Sequence, residues 1–269
     1  MADEHTNTLS VFDSGGDGRP VVLIHGWPLS HVSWSPQTEA LADAGYRVVA
    51  YDRRGFGKSD PGDSYDYDAL TDDLANVIDD LELDDVTLVG FSMGGGEVAR
   101  YVTRHGEDKL RSVVFAAAIL PALVQSDGNP DGALDEESAA ELREGLERDR
   151  DGFFEEFTTN LFSANGELKV AEEKRQEALA IAQQSDREAA LACMDAWGTD
   201  FRNDVAAVTV PTLVIHGDAD AIVPLDGSGR RTHAAIEGSE LVVIEDGPHA
   251  INGSHPREFN QALLGFLEK

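Results

Sequence analysis

The sequence predicts an α/β fold: a mostly parallel central sheet flanked by helices, with an inserted helical cap. Two observations carry that expectation. Apolar runs of strand length recur at residues 21–24, 47–51, 86–89, 112–117, 212–215 and 241–244, and most are separated by helix-length segments. Strands that read as continuous apolar runs between helices belong to a parallel sheet buried on both faces. The pattern also breaks once, after Ala118, where Pro121, Asp127, Pro130 and Gly132 lead into a strand-free stretch.

Taken in order, residues 21–24 run into His25-Gly26-Trp27-Pro28, and residues 47–51 run into Asp52-Arg53-Arg54-Gly55-Phe56-Gly57-Lys58-Ser59. The second loop is glycine-rich, but it lacks the spacing of a phosphate loop and no helix starts at its lysine. It reads as a structural loop with an internal ion pair. Residues 68–81 form the clearest helix, with Leu70, Leu74, Val77, Ile78 and Leu81 recurring every third or fourth residue. Residues 86–89 then meet Gly90-Phe91-Ser92-Met93-Gly94, followed by the helix-compatible residues 95–104. A serine between glycines on a strand-turn-helix corner is a nucleophile elbow, because so sharp a turn tolerates no Cβ at its flanks.

Residues 120–205 read as a cap of consecutive helices, leaving 1–119 and 206–269 as the core domain. At its entrance, Asp127-Gly128-Asn129-Pro130-Asp131-Gly132 copies half of a calcium-binding loop, but position twelve is Ser138 where a glutamate is required. A turn is the expectation there, and no metal site is assigned. Strand alternation resumes at Thr212, and residues 259–267 read as the closing helix.

A serine hydroxyl needs a base, and the base needs a group that fixes its tautomer. Residues 212–215 are followed by His216-Gly217-Asp218-Ala219-Asp220, and residues 241–244 by Glu245-Asp246-Gly247-Pro248-His249. Either carboxylate of the first loop could orient the base. His249 is the expected base, since a loop past a strand end carries its imidazole over the sheet edge where ligands of parallel sheets bind. His255, just before Pro256, is its competitor; His5, His25, His105, His216 and His233 read as structural. The backbone amide of Met93, after the nucleophile, and that of Trp27, after the early strand, are the expected oxyanion donors. Phe91, Ile119, Phe153, Phe154, Trp197 and Ile222 are candidate pocket-lining residues.

The chain carries 51 acidic against 21 basic residues, a formal charge of −30. Such a surface repels itself unless salt screens it, and at about 1 M salt the Debye length falls to about 3 Å. The balance has the look of a protein adapted to high intracellular salt. It excludes nucleic acid and anionic membrane as partners, since both are polyanions. The amino-terminal ten residues are polar, no apolar run is long enough to span a bilayer, and a cytoplasmic location is the expectation. The single cysteine, Cys193, allows no internal disulfide and reads as cap packing.

With these residues in place, the sequence resembles the α/β-hydrolases, and within them the cofactor-free bacterial haloperoxidases, which are esterases with perhydrolase activity. His25 to Leu29, Tyr51 to Gly57, the elbow from Gly90 through Tyr101, Asp127 to Gly132, and the Asp220 and His249 loops carry the likeness. The resemblance implies a triad of Ser92, Asp220 and His249, selects Asp220 over Asp218, and implies an oxyanion hole from the Trp27 and Met93 amides. It further implies no cofactor, a small ester or carboxylic acid as substrate, and hydrogen peroxide as a second acyl acceptor, favoured by Pro28. Lactonase or carbon–carbon hydrolase activity, a ligand-binding or scaffold role, and a homo-oligomer remain open at this point. An aspartate-nucleophile chemistry is excluded by Ser92.

Overall fold

The computed structural model describes residues 8–269; His5 lies outside them. The chain builds β1 (Val11–Asp13), β2 (Pro20–Ile24), α1 (Ser35–Asp43), β3 (Arg47–Tyr51), α2 (Tyr67–Asp80), β4 (Val86–Phe91), α3 (Met93–His105) and β5 (Leu110–Ala116). An inserted segment follows, holding α4 (Glu136–Arg148), α5 (Arg150–Leu161), β6 (Ser163–Ala164), β7 (Glu167–Leu168), α6 (Glu172–Gln183), α7 (Arg187–Ala196) and α8 (Arg202–Ala206). The core closes with β8 (Thr212–Gly217), α9 (Gly229–Ala235), β9 (Glu240–Ile244), α10 (Ile251–Ser254) and α11 (Pro256–Leu267).

Seven strands form one sheet in the order β1-β3-β2-β4-β5-β8-β9. All neighbours pair in parallel except β1, which runs antiparallel to β3. Successive strand residues point to opposite faces, and both faces are buried. Val22, Ile24, Val49, Leu88 and Val113 pack on one side with Leu70, Leu74 and Ile78 of α2 and Val98 of α3. Val21, Leu23, Val48, Val89 and Val114 pack on the other with Leu41 of α1 and Phe259 and Leu263 of α11. Two-sided burial is why the strands read as unbroken apolar runs.

Four features differ from the expectation. Strand β1 has exposed residues throughout, so its three residues give no apolar run. The inserted segment is not purely helical, since β6 and β7 form a small hairpin around Asn165-Gly166. The loop after β3 has no internal ion pair: Arg53 pairs with Glu97 of α3, Arg54 with Asp73 of α2, and Asp52 accepts from His31 and from the Lys58 amide. Helix α8 straddles the expected boundary at 205/206 and is tied to α3 by Arg100–Asp204.

Acidic residues start the helices. Asp66, Asp135, Asp149 and Asp186 each accept a backbone N–H from the first turn of α2, α4, α5 and α7, satisfying donors that have no partner inside the helix. At the calcium-like turn, Asn129 donates to the Ala122 and Val124 carbonyls and accepts from Arg231. Its carboxamide is thereby committed to closing the turn. Among the described residues no group of three His, Cys, Asp or Glu side chains could hold a metal, and no helix is long and apolar enough to cross a membrane.

The join between β4 and α3 is closely packed. A Cβ on Gly94 would lie 2.6 Å from the Ile24 carbonyl oxygen, and one on Gly90 would lie 2.5 Å from the Gly94 oxygen. Gly94→Ala is therefore expected to destabilise the fold by about 1–3 kcal/mol through overpacking, measured by urea unfolding in concentrated KCl. A variant as stable as the parent would contradict this close approach of α3 to β2.

Candidate active site

Ser92 occupies the turn between β4 and α3 with φ 54° and ψ −118°. A non-glycine residue with positive φ is uncommon, and the surroundings hold this one in place. Its N–H donates to the Ala116 carbonyl at 2.9 Å, and its own carbonyl accepts from Gly95 at 3.0 Å. The side chain is thereby raised above the end of the sheet.

The loops after β8 and β9 bring two partners to it. His249 Nδ1 lies 2.7 Å from Asp220 Oδ2, and His249 Nε2 lies 2.8 Å from Ser92 Oγ. An ionised carboxylate only accepts. The imidazole proton is therefore on Nδ1, which leaves Nε2 bare to accept from the serine hydroxyl. All three residues are buried, so water competes little for these bonds.

Asp220 is held on every side. Its Oδ1 accepts from the Ile222 and Val223 amides at 2.9 and 2.8 Å. Its Oδ2 faces both His249 and, at 3.3 Å, His216 Nε2. Burial alone would raise its pKa. The two imidazoles and their hydrogen bonds outweigh that effect and hold the carboxyl well below the ordinary carboxylate range. Asp218 stands outside the group, exposed, and accepts from the Asp246 amide at 2.7 Å. It thus ties the β8 loop to the loop that carries His249. The His255 ring Nδ1 lies 2.9 Å from the Ser254 hydroxyl, away from the Ser92–His249 pair.

His216 is a residue that sequence reasoning gave no place near the site. Its Nε2 donates to the Val223 carbonyl at 2.7 Å while facing Asp220. The signal was its position at the end of an apolar strand, four residues before the acid.

The amides of Trp27 and Met93 are both buried, and neither donates to a protein acceptor among the described residues. Buried N–H groups are rarely left without a partner, so two on the loops beside one serine form a ready anion site. The β2 loop reaches the elbow closely: a Cβ on Gly26 would lie 3.1 Å from Ser92 Cβ.

Ser92 and His249 open onto a cavity of about 250 Å³. Of the six residues expected to line it, Ile119, Phe153, Trp197 and Ile222 do so. Phe91 and Phe154 do not. Phe91 points from β4 into the core beside Trp34 and beneath the His249 ring, at 6.2 and 5.1 Å between centroids. Phe154 is wholly buried on the core side of α5, where Arg150 lies over its ring. The aromatic lining residue missed is Phe157, which shares the wall with the aliphatic Leu123, Leu134 and Leu142. Positions 153 and 157 share a helix face while 154 turns about 100° away, so helical spacing was the available signal. The Trp27 indole meets Phe157 and Trp197 edge to face at 5.0 and 5.1 Å, and its Nε1 donates to the Ala190 carbonyl at 3.0 Å. The core loop and the inserted segment are thus locked together around the cavity. The sole cysteine, Cys193, is buried outside it, and burial pushes its thiol up to about 12, which leaves it inert.

A family model described as alpha/beta hydrolase fold matches residues 19–256. The chain is 46% identical over 259 residues to a non-heme chloroperoxidase of Kitasatospora aureofaciens, covering 94% of each chain. It is 32% identical over 260 residues to a bifunctional esterase/perhydrolase of Acinetobacter calcoaceticus, covering 95% of this chain and 94% of that one. The crystal structure of a bromoperoxidase from Bacillus anthracis superposes with a TM-score of 0.95 at 48% identity, covering 98% of this chain and 96% of that one.

The depressed Asp220 carboxyl has a consequence for stability. A group with a lowered folded pKa stabilises fully above its unfolded value, about 3.9, and loses that contribution as pH falls through the folded value. The difference in unfolding free energy between the wild type and Asp220→Asn should be constant above about pH 5 and shrink only below about pH 4. Urea unfolding across pH measures it. A difference already shrinking between pH 7 and pH 5 would contradict the assigned environment.

Proposed function

The chain belongs to the α/β-hydrolase fold family, and from that premise we propose that it is a serine hydrolase of small carboxylic esters that also transfers its acyl group to hydrogen peroxide. The observation that carries this reading is the unbroken line of hydrogen bonds from Asp220 through His249 to Ser92, opening on an apolar cavity beside two unpartnered amides.

As the Ser92 oxygen attacks the ester carbonyl, its proton passes to His249 Nε2. Asp220 stabilises the imidazolium that forms. The carbonyl oxygen becomes an oxyanion and accepts from the Trp27 and Met93 amides, which are in place before charge develops. Collapse breaks the bond to the alkoxy oxygen, His249 returns the proton to it, and the alcohol leaves an acyl-serine. Water, deprotonated by His249, then attacks the acyl carbon, and Ser92 regains its proton as the carboxylic acid departs. Hydrogen peroxide in the place of water gives a peracid, with its O–O bond intact. The peracid released in this way oxidises halide away from the protein. The names of the chloroperoxidase and perhydrolase relatives support this second acceptor.

Short acyl groups suit the cavity, since Trp27, Phe153, Phe157 and Trp197 crowd its walls. We infer further that the working medium is concentrated salt, because a charge of −30 is relieved only when the Debye length is a few ångströms.

Hydrolysis of p-nitrophenyl acetate should rise between about 0.1 and about 2 M KCl as screening takes effect. Ser92→Ala should lower kcat by about 10⁶-fold. A folded wild type inactive on all short esters would remove the esterase reading and turn attention to lactones. With acetate and hydrogen peroxide, peracid should form and oxidise bromide. Brisk ester hydrolysis without peracid would remove the second acceptor alone.

A further inference from the structure

We propose that His25 is the positioning residue of the oxyanion hole, aiming the Trp27 amide by holding the carbonyl at the other end of the same peptide bond. This rests on the reading that the Trp27 N–H receives the oxyanion.

His25 is wholly buried at the start of the loop after β2, and its tautomer follows from its partners. The Arg53 backbone N–H donates to Nε2 at 2.9 Å, so Nε2 is bare and the proton sits on Nδ1. Nδ1 then donates to the Gly26 carbonyl oxygen at 2.9 Å. The Leu29 amide donates to the same oxygen, also at 2.9 Å. The Gly26 carbonyl and the Trp27 N–H belong to one planar unit, and the Gly26–Trp27 bond is not among the cis bonds of the chain. In a trans peptide the N–H points opposite to the C=O. Two donors on one side therefore fix the direction of the amide on the other. A flip of this peptide would break both bonds and bury an unpaired carbonyl.

The His25 backbone is itself held. Arg53 Nη2 donates to the His25 carbonyl at 2.7 Å, Arg53 Nε donates to Glu97 at 2.8 Å, and the Tyr51 hydroxyl donates to Glu97 at 2.7 Å. Burial opposes the Arg53 charge, but the Glu97 carboxylate keeps the guanidinium protonated. Burial first, and then the Arg53 charge, pull His25 down to about 3, so the ring stays neutral and keeps the one tautomer that can hold the carbonyl. A packing role alone would require a ring of this size, but not a donor at Nδ1.

Two substitutions separate donor from shape. In His25→Asn the amide nitrogen can take the place of Nδ1; in His25→Gln the side-chain oxygen takes the place of Nε2 and the donor to Gly26 is lost. On p-nitrophenyl acetate, His25→Gln should lower kcat by about 10- to 100-fold, short of the loss of a whole oxyanion donor, with KM within about twofold and a parallel loss of affinity for a phenylboronic acid. His25→Asn should recover most of kcat. Should His25→Gln not fold, the wild type still decides: long-range proton–nitrogen correlation of its histidines should show His25 protonated at Nδ1 with Nε2 bare. A folded His25→Gln with wild-type kcat, equal losses in both variants, or a proton found on Nε2 would overturn the role of His25 while leaving esterase activity standing. A wild type without ester turnover would overturn the functional reading and this inference with it.

Discussion

The structure depends on a single turn at which β4 becomes α3. Ser92 holds a backbone conformation costing on the order of 1–3 kcal/mol, and its neighbours are arranged to enforce it. Glycines at 90 and 94 let carbonyls approach where a Cβ would collide. The Ala116 carbonyl captures the Ser92 amide from the adjacent strand. Because the next residue begins a helix, the Met93 N–H is left without an intrahelical acceptor. Strain, raised hydroxyl and free donor are three results of one constraint.

Around that turn, the sheet supplies direction and the loops supply chemistry. Parallel strands end on one edge, so the loops after β2, β4, β8 and β9 converge there. Each contributes to the site: an amide from the first, the serine and a second amide from the second, the carboxylate from the third and the imidazole from the fourth. The inserted segment closes the site from above. Its α5 provides the Leu161 carbonyl that accepts from the Ala250 amide, bracing the histidine loop, and its aromatic face meets Trp27.

Polar groups buried beneath the site are nearly all committed. Arg53, Glu97, Tyr51 and His25 form one satisfied network, which is the condition under which buried charge is tolerable. The surface follows a different rule: it is acidic in sequence and charged well beyond what its arginine pairs neutralise. On the proposed high-salt reading, ions set the stability of that surface, while geometry at the site rests on buried hydrogen bonds that salt screens little.

The parallel sheet was legible because double burial writes itself as apolar runs, and the elbow because its glycines are obligatory. Strand β1 was not, since three exposed residues carry no periodicity. The β6–β7 hairpin escaped notice because strands of two residues are too short to show a period. The choice of Ser92, Asp220 and His249 as candidates came from strand-end position and family likeness together. Among the lining residues the failures have one cause: Phe91 and Phe154 were chosen as aromatic and nearby in sequence, when strand alternation and helical rotation turn both into the core. The central claim is that Ser92 is the nucleophile and that the Trp27 and Met93 amides receive the oxyanion. A crystal structure of the protein inactivated by a fluorophosphonate tests it most directly. The account predicts phosphorus on Ser92 Oγ with its phosphoryl oxygen about 2.7–3.1 Å from both amide nitrogens; modification at another residue, or an oxygen turned away from both amides, would contradict it.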